Sequence, residues 1–527
     1  MRVAAIGSAD GLCEYGRIIR TFMGETMPQA TRWLAWSTLL LAGTVQAQGI
    51  DQQVETFIRP LANALSAVVF FKVEMFGQPV PLIVLWLAVA ATFFTFYLGF
   101  VNIRGLGLAL RHVRGDFHDP DAGGEISHFQ AVSTAISGTV GIGNIGGVAV
   151  AIVVGGPGAA FWLILAGFLS MSTKLVECTL GVKYRRYNAD GSVSGGPMYY
   201  LEHYLSSRGM PRSGKALGGF YAIALVIGCL GIGNMFQSNQ AYVQFVIITG
   251  GDQSFFDDKG WLFGLMIATA VALVVIGGIQ SIARVASRLV PFMGILYILC
   301  ALIIIGMSFE QLPGALRLIM DNAFSLQSAT GGILGAMIVG FQRALFSNEA
   351  GIGSASIAHS AVRTNEPASE GLVSLLEPFI DTVVICTLSS LVIVTTAYPN
   401  NLMEQGLEGI ALTSASFAHH VSWAPYPLAV AALLFAFSTT IAWSYYGLKG
   451  WTYLFGEGAL MKTLFNTIFC AFVALGCMIQ LTAVLEFSDA MVFLIAVPNI
   501  LGLYFYAPEV KHEVADYMAR LRAAERS

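Results

Sequence analysis

Apolar stretches of about 20 residues recur along this chain, and they constrain its fold more than any other feature. A helix of about 20 residues crosses the hydrocarbon layer of a bilayer, where the backbone must satisfy its own polar groups. Only 11% of the 527 residues are charged, against about 25% in soluble domains. The sequence therefore predicts an all-α polytopic membrane protein with about 11 spans. These lie near residues 81–101, 127–154, 159–182, 217–248, 262–280, 287–308, 331–349, 371–396, 426–452, 462–484 and 487–507.

The composition excludes several other classes of protein. A net charge of −4 gives no reason to expect a nucleic-acid partner. The seven cysteines form no CxxC pair and the eight histidines no HExxH motif, so neither a disulfide framework nor a zinc site is indicated. The connections between spans are too short for a separate catalytic domain. We therefore expect a protein embedded in a lipid bilayer that is not an enzyme, and the sequence leaves its oligomeric state open.

The N-terminal region has a different pattern. Residues 1–47 are typical of a secretory signal peptide, with a short apolar run that ends in small residues at Val45 and Ala47. A retained, weak extra helix is the alternative. Residues 48–76 mix charged and apolar residues, which predicts an interfacial amphipathic segment. The transmembrane domain then covers residues 77–510, and residues 511–527 form a tail.

The distribution of Lys and Arg predicts the orientation. Basic residues accumulate in one set of connections, whereas the opposite set carries acidic residues such as Asp252, Asp257 and Glu404. Because basic connections stay in the cytoplasm, we expect a cytoplasmic C-terminus and an external N-terminus in a cell (inner) membrane. The cytoplasmic set includes Arg104, Arg111, Arg114, Lys183, Arg185, Arg186, Arg284, Arg288, Arg363, Lys449, Lys462 and Lys511.

Residues 137–158 hold eight glycines and a proline in an uncharged stretch. Residues 141–146 match GxGxxG, but the absence of charge from 126 to 173 contradicts a dinucleotide fold. A GxxxG packing motif formed by Gly143 and Gly147 is one alternative. A discontinuous helix explains more, because freed backbone groups inside a membrane are tolerated where they line a cavity and bind a ligand.

A second interruption is predicted in residues 331–356, GGILGAMIVGFQRALFSNEAGIGSAS. The polar cluster with Arg343 and Glu349 lies at membrane depth and is followed by glycines 351 and 353. The alternative is a helix that simply ends and emerges into the cytoplasm. If residues 127–154 and 331–349 each open a set of five spans, the two sets enter the membrane from opposite sides, which is an inverted repeat.

Seven motifs resemble, in the same order, those of the alanine/glycine:cation symporter family, the sodium:alanine symporters. The likeness implies a leucine-transporter-type five-plus-five inverted repeat with one extra N-terminal transmembrane helix. It also implies import of small neutral amino acids, alanine and glycine, with Na⁺ as the co-transported ion. The motifs are GTVGIGNIGGVA, GGPGAAFW, KLVECTLGVKYR, SGGPMYY, GNMFQSNQ, LFSNEAGIGSA and FAFSTTIAWSYYG, between about residues 80 and 505.

The expected substrate site draws on both interruptions. Thr139 and Gly141 are candidates for the substrate carboxylate, and Asn144 serves either the ligand or a contact between helices. Gln237 is a candidate for the substrate ammonium, with interhelical hydrogen bonding as the alternative. The remaining candidates, each of which plain packing could also explain, are Phe341, Phe346, Ser347, Asn348 and Trp443.

The expected sodium site combines hydroxyls and carbonyls. The family resemblance implies the Ser438 and Thr439 hydroxyls as ligands, with carbonyls near Ile136 and Thr139. The alternative for these hydroxyls is hydrogen bonding back to their own helix. The intramembrane carboxylates Glu177, Glu349, Glu377 and Asp381 raise a rival hypothesis, a proton-coupled amino-acid symporter. We favour Na⁺.

Overall fold

A computed structural model describes residues 59–60, 63–75, 78–117, 119, 121–325, 332–407, 409–479 and 481–526. The predicted signal-like segment 1–47 and the first part of the interfacial segment lie outside these residues. Within the described part of that segment, residues 63–69 are helical. A hairpin follows, in which β1 (Lys72–Met75) pairs antiparallel with β2 (Gln78–Pro81). The sequence analysis did not predict this hairpin.

The rest of the described chain is helical apart from one small hairpin. Between β2 and the first interruption lie α1 (Leu82–Tyr97), α2 (Val101–Arg104) and α3 (Leu106–Arg114). The first half of the molecule continues with α4 (His128–Thr139), α5 (Gly146–Gly155), α6 (Gly158–Lys183), β3 (Arg186–Tyr187), β4 (Val193–Ser194), α7 (Pro197–Ser206), α8 (Pro211–Leu230), a π-helical stretch (Gly231–Met235), α9 (Phe236–Ile248), α10 (Gly260–Val275) and α11 (Gly278–Met307).

The second half begins with α12 (Leu312–Ala323) and has the same helical character. It comprises α13 (Gly332–Asn348), α14 (Ser354–His359), α15 (Pro367–Ser374), a short turn of helix (Leu376–Pro378), a second π-helical stretch (Phe379–Cys386), α16 (Thr387–Thr396), α17 (Ile410–His420), α18 (Pro425–Phe455), α19 (Ala459–Gly476) and α20 (Leu481–Arg526).

Each of the predicted apolar windows contains helix among the described residues. Among the described residues, seven helices are long and apolar enough to cross a membrane, or eight if a bent pair counts as one span. Two shorter apolar helices, α1 and α10, add to these. The chain is therefore a multi-pass helical membrane protein. The total of eleven spans and the inverted repeat stay predictions.

Two helices mark the inside and the outside of the bundle. In α18, 78% of the most apolar window is buried within the protein, whereas in α11 the value is 28%. An all-apolar helix that is mostly exposed faces lipid, and one that is mostly buried forms the core of the bundle. The helix α18 contacts α4, α8, α9 and α11, while α6 packs against α13, α15 and α1. The interior is thus built around α4, α6 and α18.

Candidate functional site

The first glycine-rich segment is a broken helix, as the sequence predicted. The helix α4 begins at a capping box, in which the Ser127 hydroxyl accepts the Gln130 N–H and the Gln130 side chain accepts the Ser127 N–H. The helix ends at Thr139, because the backbone of the next residue, Val140, is extended (ψ 91°). After a single 3₁₀ turn (Ile142–Asn144) the chain continues as α5, and the two halves are bent by 59°.

Side chains from two other helices reach the backbone groups that this break frees. The Ile142 N–H donates to Gln237 Oε1 on α9 at 3.0 Å. The Thr439 hydroxyl on α18 donates to the Val140 carbonyl at 3.5 Å. The Gly141 N–H is held locally, by Asn144 Oδ1 at 2.8 Å. Three predicted site residues, Asn144, Gln237 and Thr439, therefore line the break. They come from segments that are far apart in sequence.

Glycine is required at position 141 by the closeness of these side chains. A Cβ atom there would lie 2.7 Å from Thr439 Oγ1 and 2.9 Å from Gln237 Oε1. The backbone angles at Gly141 are extended (φ −133°, ψ −159°), so that any residue could adopt them. The requirement is thus one of space at the break and not of backbone conformation.

Asn144 links the first interruption to the second. Its amide group donates to Ser347 Oγ at 2.9 Å and to Asp381 Oδ1 at 2.6 Å. Its backbone carbonyl accepts a hydrogen bond from the Ser389 hydroxyl at 2.6 Å. The Asn144 side chain therefore makes the contact between helices that the sequence left open as the alternative to ligand binding.

The carboxylate of Asp381 lies at the centre of these contacts. Besides the Asn144 amide it accepts hydrogen bonds from Ser347 Oγ at 2.9 Å and Thr382 Oγ1 at 2.6 Å. The side chain is fully buried, and its hydrogen-bond partners in the described chain are uncharged. A buried carboxylate normally needs a compensating cation. Oxygen ligands with one negative charge suit a small hard ion, so this cluster could hold Na⁺.

The sequence indicates Asp381 only as a candidate proton carrier and does not associate it with the helix break. The carboxylate within the apolar window 371–396 was the available signal. Its position opposite Asn144 could not be read from the sequence, because the two residues are 237 positions apart. Thr382 was missed for the same reason.

The second predicted interruption is also present. The helix α13 ends at Asn348, and Glu349 adopts a left-handed conformation (φ 57°) that is rare outside glycine. Gly351 (φ 93°) and Gly353 (φ 85°) complete the turn before the short helix α14. Glu349 and every residue of α14 are buried. The chain therefore does not emerge into water here, which was the alternative considered.

Residues of the second interruption turn in different directions. Phe346 faces the first break, with its ring 3.6 Å from the position of a Cβ on Gly143 and edge-on to Phe236. Asn348 donates to Thr382 Oγ1 at 3.0 Å. Phe341 is buried. Of the four candidates in this segment, Phe346 and Ser347 thus lie against the first interruption.

Trp443 connects α18 to the second interruption. Its indole N–H donates to Glu349 Oε1 at 2.8 Å, and the side chain is fully buried. The indole packs so closely on Gly233 of the π-helical stretch that a Cβ there would lie 1.9 Å from Trp443 Cγ. Trp443 therefore packs beside the site and anchors the turn at Glu349.

The hydroxyls of the predicted site do not all face the break. Ser438 Oγ, predicted as a sodium ligand, donates to the Phe435 carbonyl of its own helix at 3.0 Å, which is the alternative considered for it. Thr139 Oγ1, predicted for the substrate carboxylate, donates to the Ile136 carbonyl at 3.3 Å. The Ser438 carbonyl does face α4, because it accepts from Ser137 Oγ at 2.6 Å. Thr439 is thus the member of the predicted set whose hydroxyl reaches across to α4.

Comparison with known proteins connects this geometry to a family. The model of the sodium:alanine symporter family matches residues 63–527. The chain belongs to this family. It is 37% identical over 422 residues to the sodium/alanine symporter AgcS of Methanococcus maripaludis, covering 80% of this chain and 90% of that protein. The probable sodium/glutamine symporter GlnT of Bacillus subtilis is 32% identical over 435 residues, with 82% and 87% covered.

The structural comparison agrees with the membership of the symporter family. The crystal structure of MhsT in complex with L-phenylalanine superposes with a TM-score of 0.52 at 14% identity, over 74% of this chain and 98% of that one. This likeness shows that the two chains share a fold. Because its relatives are transporters, this sodium:alanine symporter family member is a transporter and not an enzyme, as the sequence predicted.

Proposed function

We propose that this symporter family member imports small neutral amino acids, alanine and glycine, together with Na⁺ by alternating access. The observation that carries the proposal is the convergence of Gly141, Gln237 and Thr439 at the bend between α4 and α5. Freed backbone groups at a break inside a membrane protein are the recurrent binding elements of secondary transporters. The names of the relatives AgcS and GlnT support the pairing of sodium with an amino acid.

The substrate carboxylate would take the place of side-chain oxygens on the broken helix. The N–H groups of Gly141 and Ile142 donate to Asn144 and Gln237, and these oxygens can be exchanged for those of a carboxylate. Gln237, once displaced, has an amide oxygen free to accept from the substrate ammonium. Thr139, the last residue of α4, would turn its hydroxyl from the Ile136 carbonyl toward the substrate carboxylate.

Small substrates would be selected by exclusion. Phe346 closes the side of the break next to Gly143, at 3.6 Å from a Cβ position there, and Phe236 supports its ring. A methyl group fits against such a wall at little cost, whereas a longer side chain would have to displace a buried aromatic ring. Exclusion of this kind discriminates by clash and not by added attraction.

Sodium would bind at the two places where oxygen atoms gather at the break. One is the Thr439 hydroxyl with the Val140 carbonyl, to which the Ser438 hydroxyl and the carbonyls of Ile136 and Thr139 can contribute after small rotations. The other is the Asp381 carboxylate with Ser347 and Thr382. Each Na⁺ that enters the cell gains about 2.3 kcal/mol per 100 mV, which is sufficient to concentrate an amino acid.

The test is uptake of labelled alanine, glycine and serine into proteoliposomes with an inward Na⁺ gradient, an inward H⁺ gradient or no gradient. We expect accumulation of alanine and glycine only with Na⁺. Gln237→Leu and Thr139→Val should abolish uptake without loss of membrane insertion. Gln244→Leu, which removes an amide two turns further along α9, should retain it. Uptake driven equally well by the H⁺ gradient alone would instead establish proton coupling.

A further inference from the structure

A chain of buried charged groups crosses the end of the bundle where α4 begins. Glu370 on α15 contacts two histidines, with one carboxylate oxygen on His128 Nδ1 and the other on His359 Nδ1. The second ring nitrogen of His359 contacts Glu377 Oε1 at 2.5 Å, and Lys174 Nζ lies 3.3 Å from Glu377 Oε2. We call this set the His–Glu cluster; its members are His128, Glu370, His359, Glu377 and Lys174.

The geometry of His359 requires one proton more than neutral imidazole carries. A carboxylate offers only acceptors, and a neutral imidazole has a single N–H. Both ring nitrogens of His359 face carboxylate oxygens, Nδ1 toward Glu370 and Nε2 toward Glu377. Two hydrogen bonds therefore exist only if the ring is an imidazolium or one of the carboxyls is protonated. In either case the cluster holds an extra proton.

That proton also balances the buried charge. The two carboxylates carry two negative charges, and Lys174 supplies one positive charge from α6. All three side chains and His359 are fully buried. An unbalanced charge at such a depth costs several kcal/mol, so loss of the proton would favour separation of the helices and entry of water.

Other titratable groups surround the cluster on several elements. His112 on α3 lies with its ring 5.5 Å from that of His128. Burial lowers the pKa of His112 to about 4, so this neighbour is uncharged at neutral pH and does not supply the missing positive charge. Further groups that face the cluster are Cys178 and Glu177 on α6, Glu349 before α14, Asp381 in the second π-helical stretch and Tyr446 on α18.

The position of the cluster connects it with opening and closing of this end. His128 is the first residue of α4, the half of the broken helix that leads to the site, and its partner Glu370 belongs to α15. Beside it the chain before α4 is bound to the chain after α14, where the Arg363 N–H donates to the Ile126 carbonyl at 2.8 Å. Movement of α4 away from α14 and α15 would have to break the cluster.

We propose that the His–Glu cluster is a proton-binding site that closes this end of the transporter. With the proton bound, Glu370 joins His128 and His359 and holds α4 against α14 and α15. Loss of the proton leaves the carboxylates in excess and releases α4. The proton is bound and released on the same side and is not carried across. The inference rests on the proposed function, because it assigns a role to opening at the α4 end.

A metal site is a less suitable reading of the same residues. The ligand atoms of Cys178, His359 and Glu377 lie within 4.8 Å of one another. Both nitrogens of His359 are already engaged, however, and the ammonium group of Lys174 lies beside Glu377. A divalent cation would have to displace hydrogen bonds and tolerate a neighbouring positive charge.

The test is exchange of labelled alanine across proteoliposomes with equal Na⁺, alanine and pH on both sides, from pH 5 to pH 10. Equal pH removes any proton driving force, so that only the binding equilibrium is observed. Because the closed form holds the proton, wild-type exchange should fall as the pH is lowered. On the acid side of a one-proton transition the rate should approach about a tenfold decrease per pH unit.

Variants locate the transition in the cluster. His359→Gln, which cannot bind the proton, should exchange alanine at a rate that no longer changes with pH. Glu370→Gln should move the transition to lower pH, because one of the two negative charges that attract the proton is gone. His203→Gln is the matched control, since His203 contacts Tyr506 outside the cluster, and it should keep the wild-type profile. If His359→Gln fails to insert, His128→Gln at the edge of the cluster should shift the transition.

The outcomes separate this inference from the proposed function. The proton site would be overturned, with alanine transport left intact, if wild-type exchange were constant across the pH range. It would also be overturned if His359→Gln or His128→Gln kept the wild-type dependence of exchange on pH. Absence of alanine exchange in the wild type at every pH would contradict the proposed function itself.

Discussion

Replacement of Gly141 by Ala probes the site at the point where its geometry is most restrictive. The added methyl group would lie 2.7 Å from Thr439 Oγ1 and 2.9 Å from Gln237 Oε1. The backbone at this position is extended and accepts alanine without strain. The whole effect must therefore come from displacement of the two side chains that reach the broken helix.

The size of the effect follows from how these side chains can respond. The Gln237 amide is the end of a flexible side chain and can swing away, but it then leaves the Ile142 N–H. Thr439 can rotate its hydroxyl toward a carbonyl of its own helix, but it then leaves the Val140 carbonyl. Overpacking of this kind costs about 1–3 kcal/mol. Since about 1.4 kcal/mol is a factor of ten, half-saturating alanine and Na⁺ concentrations should both rise about 5- to 150-fold.

The assay is Na⁺-dependent alanine uptake in proteoliposomes, with thermal stability in detergent measured alongside. Gly147→Ala is the matched control in α5, because a Cβ there meets nothing within 4 Å. Wild-type alanine and Na⁺ dependence in Gly141→Ala would refute the reasoning. So would equal impairment of Gly147→Ala, which would mean that any added methyl group on this segment is harmful.

Three further substitutions test separate parts of the account. Asp381→Asn keeps the shape of the side chain but removes its charge. Because a hydrogen bond or contact to a charged group is worth about 1.5–3 kcal/mol, the half-saturating Na⁺ concentration should rise at least about tenfold. Thr439→Ala should raise the same concentration about fivefold, as expected for about 1 kcal/mol, and more than Ser438→Ala, because the Ser438 hydroxyl is bonded within its own helix. Gly233→Ala places a Cβ 1.9 Å from Trp443 Cγ. This overpacking should lower the free energy of unfolding by about 3 kcal/mol and therefore lower the melting temperature.

A specific result would contradict each of these three predictions. Unchanged Na⁺ dependence in Asp381→Asn would remove the carboxylate from the sodium site. A larger effect of Ser438→Ala than of Thr439→Ala would show that the hydroxyls rotate on binding. Gly219→Ala, where an added Cβ meets nothing within 4 Å, is the control for Gly233→Ala. Equal melting temperatures of the two variants would contradict the packing argument.

The apolar helices and the first helix break were predictable because their causes are local. Twenty apolar residues in a row favour a buried helix whatever surrounds them, and glycines at 138, 141 and 143 weaken a helix by their own conformational freedom. The left-handed Glu349 was not predictable, since a non-glycine residue takes that conformation only when its surroundings impose it. Here Trp443 and Ser354 both donate to its carboxylate.

The partners within the site were only partly predictable. Gln237 and Thr439 could be selected from the sequence with the help of a family resemblance, but the orientation of the successive Ser438 and Thr439 hydroxyls could not. Neighbouring helical residues point about 100° apart, so only packing decides which one faces α4. The contacts of Asp381 and of the His–Glu cluster join residues that are distant in the chain. Such contacts depend on how the helices assemble, and a hydrophobic pattern does not predict them.

The central claim is that Na⁺ and alanine bind together at the break between α4 and α5. Binding of labelled alanine to the purified protein in Na⁺ and in K⁺, and binding of Na⁺ with and without alanine, tests it most directly. By thermodynamic linkage, the factor by which Na⁺ raises the affinity for alanine equals the factor by which alanine raises the affinity for Na⁺. We expect this factor to be well above one in the wild type and to be greatly reduced in Gly141→Ala. Alanine affinity that is the same in Na⁺ and in K⁺ would contradict it.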